Sequence, residues 1–259
     1  PKNLIQIDID PEAKDRTYQT TLFHLGDSKK VLNELIVRLS NLPKPKQEWF
    51  DEVRILKESI LKEYKSFLGA YKNFPEIVRE CLPKEGRWIR DVTISNSTWG
   101  NRMMPVSDPT ENIFPVGAGI GPGMALAIGA SLAKKEVKSI AMCGDGGFML
   151  NLPELWTAVD LNSNVIFMIM NDKGYGVIKH IQDSLYGGRK NYADLKVPNF
   201  SDLAKTVGMR YMIVKSSSDF KGKLSKAFEL FGPVMLEIDV NSVGEMPRYF
   251  MPPPFTKKQ

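Results

Sequence analysis

The sequence predicts an α/β protein: a doubly wound parallel sheet with helices on both faces, preceded by a fragment of a second α/β domain. Three observations predict it. From Arg87 onward, short β-prone apolar runs alternate with stretches of helical period. Of the 259 residues, 42% are hydrophobic and 25% charged, the balance of a chain that buries a core and not of a disordered or fibrous one. Residues 1–40 hold one strand-like run and one helical period, too little to bury both faces of a strand or to pair its edges.

Taken in order, residues 4–10 form a short β-rich run closed by Pro11, and residues 31–39 place Leu32, Leu35, Ile36 and Leu39 at helical spacing. This single strand and helix read as the C-terminal remnant of a central domain whose other strands lie elsewhere, so the chain is expected to begin in mid-domain. Residues 41–46, with Pro43 and Pro45, form a linker because proline fixes φ and removes an N–H. Residues 47–67 and 74–82 space apolar side chains among charges, as helices do, which makes 41–67 a linker with a connecting helix and 68–259 the main domain. Its expected strands are 91–95, 139–143, 165–170, 211–214 and 234–240. The helices between them are 122–132, 152–161, 200–207 and 219–231, the last capped by Ser218. The proline-rich stretch 247–254 reads as an extended strap. A sheet of this kind binds ligands at the carboxyl ends of its strands.

Composition removes several function classes. The net charge of +5 invites a nucleic-acid reading, but basic residues alternate with acids (Lys57-Glu58, Lys62-Glu63, Arg79-Glu80), the pattern of solvated helix faces. No nucleic-acid partner is expected. Val165–Met170 is the longest apolar run considered, far below the roughly 20 residues of a bilayer span, so no membrane partner is expected either. Cys81 and Cys143 cannot build a disulfide framework, and His24 and His180 give no zinc spacing; a reducing, cytoplasmic location is expected. Between Gly117 and Gly123 the glycines alternate, and Pro122 stands where a dinucleotide fingerprint needs its last glycine. Neither a P-loop nor a GxSxG nucleophile elbow occurs.

Two segments carry the chemistry. Cys143-Gly144-Asp145-Gly146-Gly147-Phe148 follows the run 139–143; alone, Asp-Gly-Gly is an ordinary turn. Asn171-Asp172-Lys173-Gly174 follows the run 165–170. Asp145 and Asp172 are 27 positions apart, one βαβ unit, so adjacent parallel strands bring both carboxylates to one edge of the sheet. Magnesium is held by one or two carboxylates together with phosphate oxygens. Gly146 and Gly147 permit close backbone approach, and the amides opening the next helix carry positive partial charge. The expected ligand is a metal diphosphate.

Gly144-Asp145-Gly146 followed after a little under thirty residues by Asn171-Asp172 resembles the fingerprint of thiamine diphosphate-dependent enzymes of the acetolactate synthase-like family. The glycine-rich stretch 114–130, the segment 172–178, Leu185-Tyr186-Gly187-Gly188-Arg189 and Gly232-Pro233-Val234 extend the resemblance, as do residues 6–11 and Gly26-Asp27 near the start. It spans essentially the whole chain and implies the C-terminal half of such an enzyme, with the thiamine diphosphate-binding fold. It implies that Asp145, Asp172 and the Gly174 carbonyl hold Mg2+. It further implies that Gly119, Ile120, Gly144, Asp145, Gly146, Gly147, Asn171, Gly174, Tyr175, Gly176 and Val177 surround thiamine diphosphate and that Ala118 offers its carbonyl to the pyrimidine amino group. Ile120 takes the place of a bulky apolar residue that bends the cofactor, bringing the amino nitrogen near the acidic C2 proton; without the resemblance, an isoleucine among glycines reads as core. Tyr175, Val177 and His180 follow the metal segment toward the substrate, although His180 also reads as a helix-surface histidine. The segment 186–189 reads either as a loop over the site or as a plain turn, and Cys143 as a small packed side chain.

The implied reaction joins or cleaves a carbon–carbon bond beside the carbonyl of a 2-oxo acid such as pyruvate: acetolactate-type carboligation, with simple decarboxylation or a non-catalytic subunit as alternatives. Two departures bear on it. Many relatives carry two asparagines where this chain has Asn171-Asp172, so with roughly −3 on the diphosphate the site leans on the cation. Ile181 stands where acetolactate synthases of amino-acid biosynthesis have tryptophan, which puts strict acetolactate synthase specificity in doubt. In the family, a glutamate of a pyrimidine-binding domain, usually on another subunit, protonates the cofactor, and no segment here matches it. A second chain or missing N-terminal half, in a homo- or hetero-oligomer, is therefore expected. No sequence feature decides for or against FAD in the central domain.

Overall fold

The computed structural model describes residues 2–117 and 119–247. Ala118 and, apart from Pro247, the strap expected over 247–254 lie outside the described residues. The chain divides into two compact units, Pro1–Lys57 and Glu58–Gln259.

In the first unit, β1 (Ile5–Asp8) pairs in parallel with β2 (Leu22–Leu25), followed by α1 (Ser28–Leu39). Asp27 caps α1 by accepting from the Lys30 amide at 2.9 Å. The sequence reading expects one strand here and the structure has two. Leu22–Leu25 is four residues long, too short for its pattern to show a period. The division falls within α2 (Gln47–Phe67).

The second unit runs α3 (Phe74–Cys81), β3 (Trp88–Arg90), β4 (Asn112–Ile113), α4 (Gly123–Ala133), β5 (Ser139–Gly144), α5 (Asp145–Met149), α6 (Glu154–Asp160) and β6 (Val165–Asn171). It continues with α7 (Gly176–Leu185), α8 (Phe200–Thr206), β7 (Arg210–Val214), α9 (Phe220–Glu229), β8 (Val234–Asp239) and α10 (Val240–Val243). Among the described residues its six strands are all parallel, in the order β4-β3-β5-β6-β8-β7.

Period-two alternation sorts the strand residues onto the two faces. From β6, Ile166, Met168 and Met170 pack with Phe74, Val78, Phe220 and Leu224 of α3 and α9. Val165, Phe167 and Ile169 pack instead with Met124, Ala127, Leu155 and Phe200 of α4, α6 and α8. Both faces are thus covered, and β6 is buried along its whole length. Each fully buried large apolar side chain here contributes about 1.5–3 kcal/mol relative to exposure.

Four of these elements depart from the sequence reading. The strand expected over 91–95 lies at Trp88–Arg90, and residues 92–94 instead turn into a π-helix at Asn96–Gly100. The edge strand β4 has two residues and no readable pattern. Two helices that the sequence reading lacks, α5 and α7, begin at Asp145 inside the first motif and at Gly176 just past the second, both without side-chain caps. The chain runs from β3 outward to β4 and then returns past β3 to β5. This reversal between β3 and β5 opens a crevice at their carboxyl ends, where open α/β sheets take their ligands.

Candidate active site

The crevice is a cavity of about 300 Å³. One wall is the turn 92–94 after β3. The others come from Ile120, from Gly144–Gly147 at the junction of β5 and α5, and from Gly174–Ile178 where α7 opens. Of the residues singled out in the sequence, Ile120, Gly144, Asp145, Gly146 and Gly147 meet Gly174, Tyr175, Gly176 and Val177 around this one space.

The strand register explains the meeting. Gly144, the last residue of β5, stands opposite Met170 of β6, so Asp145 and Asp172 leave neighbouring strand tips in the same direction. Asp145 is fully buried. Its Oδ1 accepts from the Gly146 amide at 2.9 Å and its Oδ2 from the Gly174 amide at 3.0 Å, which ties the two motifs together. The carboxyl groups of Asp145 and Asp172 face each other closely enough to share a proton. Burial, and then the charge of Asp172, pushes the Asp145 carboxyl up to about 7. Burial also raises Asp172, against the pull of the Lys179 ammonium.

The turn 171–174 is held in an unusual shape. Lys173 has φ of 53°, left-handed for a residue with a side chain, a strain of the kind that gathers at functional sites. Segment 193–195 zips onto this turn. The Tyr175 amide donates to the Ala193 carbonyl at 2.8 Å, the Leu195 amide donates to the Lys173 carbonyl at 3.0 Å, and Lys179 pairs with Asp194 at 3.0 Å. Gly174 must be glycine because a Cβ would lie 2.3 Å from the Ala193 carbonyl oxygen.

Other sequence-selected residues sit apart from the cavity wall. Asn171 turns away: its Nδ2 donates to Glu237 Oε1 at 2.7 Å and its Oδ1 accepts from the Lys173 amide at 3.2 Å, so it braces the turn. His180 lies on α7 and Gly119 on the loop before α4, neither of them lining the cavity. Ala118 falls outside the described residues.

Two buried acids went unread in the sequence. Glu237 of β8 accepts from Asn171 Nδ2 and from the Tyr211 hydroxyl, so a strand carboxyl group braces the turn 171–174 from below. Asp91, fully buried just past the end of β3, accepts among the described residues from the backbone amides of Val92, Gly121 and Gly123. An acid directly following a β3 run that enters a reversal point was the signal available for it.

The donor set fits a divalent cation carrying a diphosphate. Two carboxylates facing one another in a buried site repel unless a proton or a cation lies between them. Among the described residues no group of three or more His, Cys, Asp and Glu side chains forms a metal site, so these two acids need phosphate, carbonyl or water oxygens to complete an octahedron. Gly147, whose Cβ would come 3.2 Å from Ile120 Cγ1, keeps the floor beside them free of side chain.

Residues 93–238 match the family model described as the thiamine pyrophosphate enzyme C-terminal TPP-binding domain. The chain belongs to the thiamine pyrophosphate enzymes. Among curated relatives, it is 28% identical over 254 residues to the probable acetolactate synthase large subunit of Methanocaldococcus jannaschii, which covers 94% of this chain and 43% of that protein. It is 27% identical over 245 residues to the mitochondrial acetolactate synthase catalytic subunit of Saccharomyces cerevisiae, covering 92% of this chain and 36% of that one. The chain therefore spans about two-fifths of the length of the curated relatives it matches. Among solved structures, the thiamine diphosphate-dependent 4-hydroxybenzoylformate decarboxylase of Rhodococcus jostii aligns with a TM-score of 0.57 and 26% identity, over 64% of this chain and 31% of that one. As a family member with an acetolactate synthase-like sequence, the chain carries the thiamine diphosphate-binding fold that its doubly wound sheet displays. No described helix is long and apolar enough to cross a membrane.

Proposed function

We propose that the chain is the diphosphate-binding part of an acetolactate synthase-like enzyme, which uses thiamine diphosphate and Mg2+ to form a carbon–carbon bond from a 2-oxo acid such as pyruvate. The observation that carries this reading is the facing pair Asp145 and Asp172 at adjacent strand tips, above a glycine floor. When bound, the cofactor supplies a nucleophilic carbon and an electron sink for loss of carbon dioxide. Asp145, Asp172 and the Gly174 carbonyl would hold the metal, Gly146 and Gly147 the diphosphate. Ile120 would support the bent cofactor, and the Ala118 carbonyl would orient its amino group. Leu150, Val177 and Ile178 line the cavity with apolar surface that keeps water from the reacting carbon. The acid that protonates the pyrimidine would come from a pyrimidine-binding domain outside this sequence, on a second chain or a further segment, in an oligomer.

Product analysis tests this. Assembled with such a domain and given pyruvate, Mg2+ and thiamine diphosphate, the chain is expected to yield acetolactate, and by itself to release no carbon dioxide. Acetaldehyde as the main product would assign the second reading, a 2-oxo acid decarboxylase, which the likeness to the Rhodococcus decarboxylase favours. Turnover by the isolated chain would remove the requirement for a partner domain.

The paired acids also set a pH dependence. Asp145 rises from 3.8 to about 7 in the folded, metal-free chain, so between these values the folded state holds a proton that the unfolded chain has released. Its contribution to stability is complete below about pH 4 and is lost as pH rises through about 7. The melting temperature of the metal-free chain is expected to fall from pH 5 to pH 8 relative to Asp145→Asn. Binding of Mg2+ with thiamine diphosphate displaces the proton and should tighten over the same window. Chelator dialysis should weaken the cofactor's affinity strongly; an affinity indifferent to chelator contradicts the role given to Asp172.

A further inference from the structure

Gly121, the residue after Ile120, is gripped at both of its backbone polar groups by side chains from two other segments. Its N–H donates to Asp91 Oδ1 at 2.9 Å and Oδ2 at 3.1 Å, and its carbonyl accepts from Asn151 Nδ2 at 2.9 Å. Asp91 also receives the Gly123 amide at 3.2 Å, at the first residue of α4, where the helix dipole favours a negative charge. The fit is close on every side. A Cβ on Gly123 would stand 2.7 Å from Asp91 Cβ, one on Gly121 3.0 Å from Asn151 Nδ2, and one on Gly147, in the cavity floor, 3.2 Å from both Asp91 Oδ2 and Ile120 Cγ1.

Asp91 is a fully buried carboxylate with no ion pair among the described residues, and burial holds it above the usual carboxylate range despite its backbone donors. A core does not need such a group. Burying an acid without a cation costs free energy that an apolar residue of similar size would avoid, unless its hydrogen bonds fix something. What these fix is the backbone of the loop that presents Ile120 to the cavity. Gly121 has φ of 107°, a conformation open to glycine, and the two side-chain clamps hold it there.

We propose that Asp91 and Asn151 are positioning residues for Ile120: they clamp Gly121 from both sides and so set the height of the apolar support beneath the two rings of thiamine diphosphate. The inference rests on the cofactor reading above. It assigns to these residues the bend of the cofactor, whereas Asp145 and Asp172 determine its retention. A displacement of about 1 Å at such a support costs up to about 100-fold in a reaction that depends on proximity.

The test separates bend from retention. In the assembled enzyme, cofactor affinity is measured by titration calorimetry with Mg2+ present. The bend is measured as the rate of hydrogen–deuterium exchange at C2 of bound thiamine diphosphate, by NMR after acid quench, with every variant saturated with cofactor. Asp145→Asn should lose affinity; if it does not, the cofactor reading itself fails. Asp91→Asn turns an NH2 group toward the Gly121 and Gly123 amides and should slow C2 exchange about 100-fold at saturation, with affinity falling only about 10-fold. Asn151→Ala removes one neutral hydrogen bond from a half-buried side chain, leaves the buried carboxylate in place, and should slow exchange about 5- to 10-fold with affinity nearly unchanged. Wild-type exchange in cofactor-saturated Asn151→Ala overturns the proposal, whether or not Asp91→Asn folds. So does a wild-type rate in folded Asp91→Asn.

Discussion

Asp145→Asn in the assembled enzyme is expected to weaken thiamine diphosphate binding at least about 100-fold in the presence of Mg2+, a loss of about 2.7 kcal/mol. The side chain keeps its size, so packing does not decide the outcome. Charge does, because Asp145 is a fully buried carboxylate in the cavity wall, and half of the negative charge it forms with Asp172 disappears. Hydrogen bonding adds to the effect. Asp145 accepts from both Gly146 and Gly174, and an amide accepts through one atom only, leaving its NH2 group against a backbone N–H. Stability should move the other way above neutral pH, because Asp172 no longer faces a like charge. At pH 8 the metal-free variant is expected to melt at or above the wild-type temperature, by calorimetric scan. Unchanged cofactor affinity in a folded variant would remove Asp145 from the site.

The parts of this arrangement that were legible in the letters share one property: each is announced within a few consecutive residues. Strands β5 and β6 are continuous apolar runs that end in Gly-Asp-Gly and Asn-Asp, so both the sheet and the two acids at its edge follow from local pattern and a crossover of ordinary length. Asp91 was hidden for the converse reason. Val92 and Ile94 continue an apolar alternation past the true end of β3, and the amides that hold the carboxylate at the strand end belong partly to residues 121 and 123, thirty and more positions away. Glu237 was hidden in a run that reads as plain strand, Val-Met-Leu-Glu-Ile-Asp. Only its pairing with Asn171 and Tyr211 across the sheet gives it a role. The register also sets Asn171, which the motif associates with the cofactor, against Glu237 and the Lys173 amide.

Gly176→Ala isolates geometry from every other property of the site. The substitution removes no charge and no hydrogen-bonding group, and it falls on the first residue of α7, where alanine is the better helix former by up to about 1 kcal/mol. Folding should therefore be preserved, with a melting temperature at or slightly above that of the wild type. Yet an added Cβ would stand 2.3 Å from Asp172 Oδ2 and 3.0 Å from Ile94 Cγ2. A carboxylate on a rotatable bond is the partner that yields, and as it rotates it leaves the position facing Asp145. Gly174 offers no such escape, because its obstacle is the Ala193 main-chain carbonyl, and alanine there should cost stability as well as binding. For Gly176→Ala the expected result is Mg2+-dependent cofactor affinity lowered about 10- to 100-fold in a protein of undiminished stability, read by titration calorimetry beside a thermal melt. Wild-type affinity in this variant would mean that the place of the Asp172 carboxylate against the helix start has no bearing on the metal, and that the second acid of the pair is a structural one.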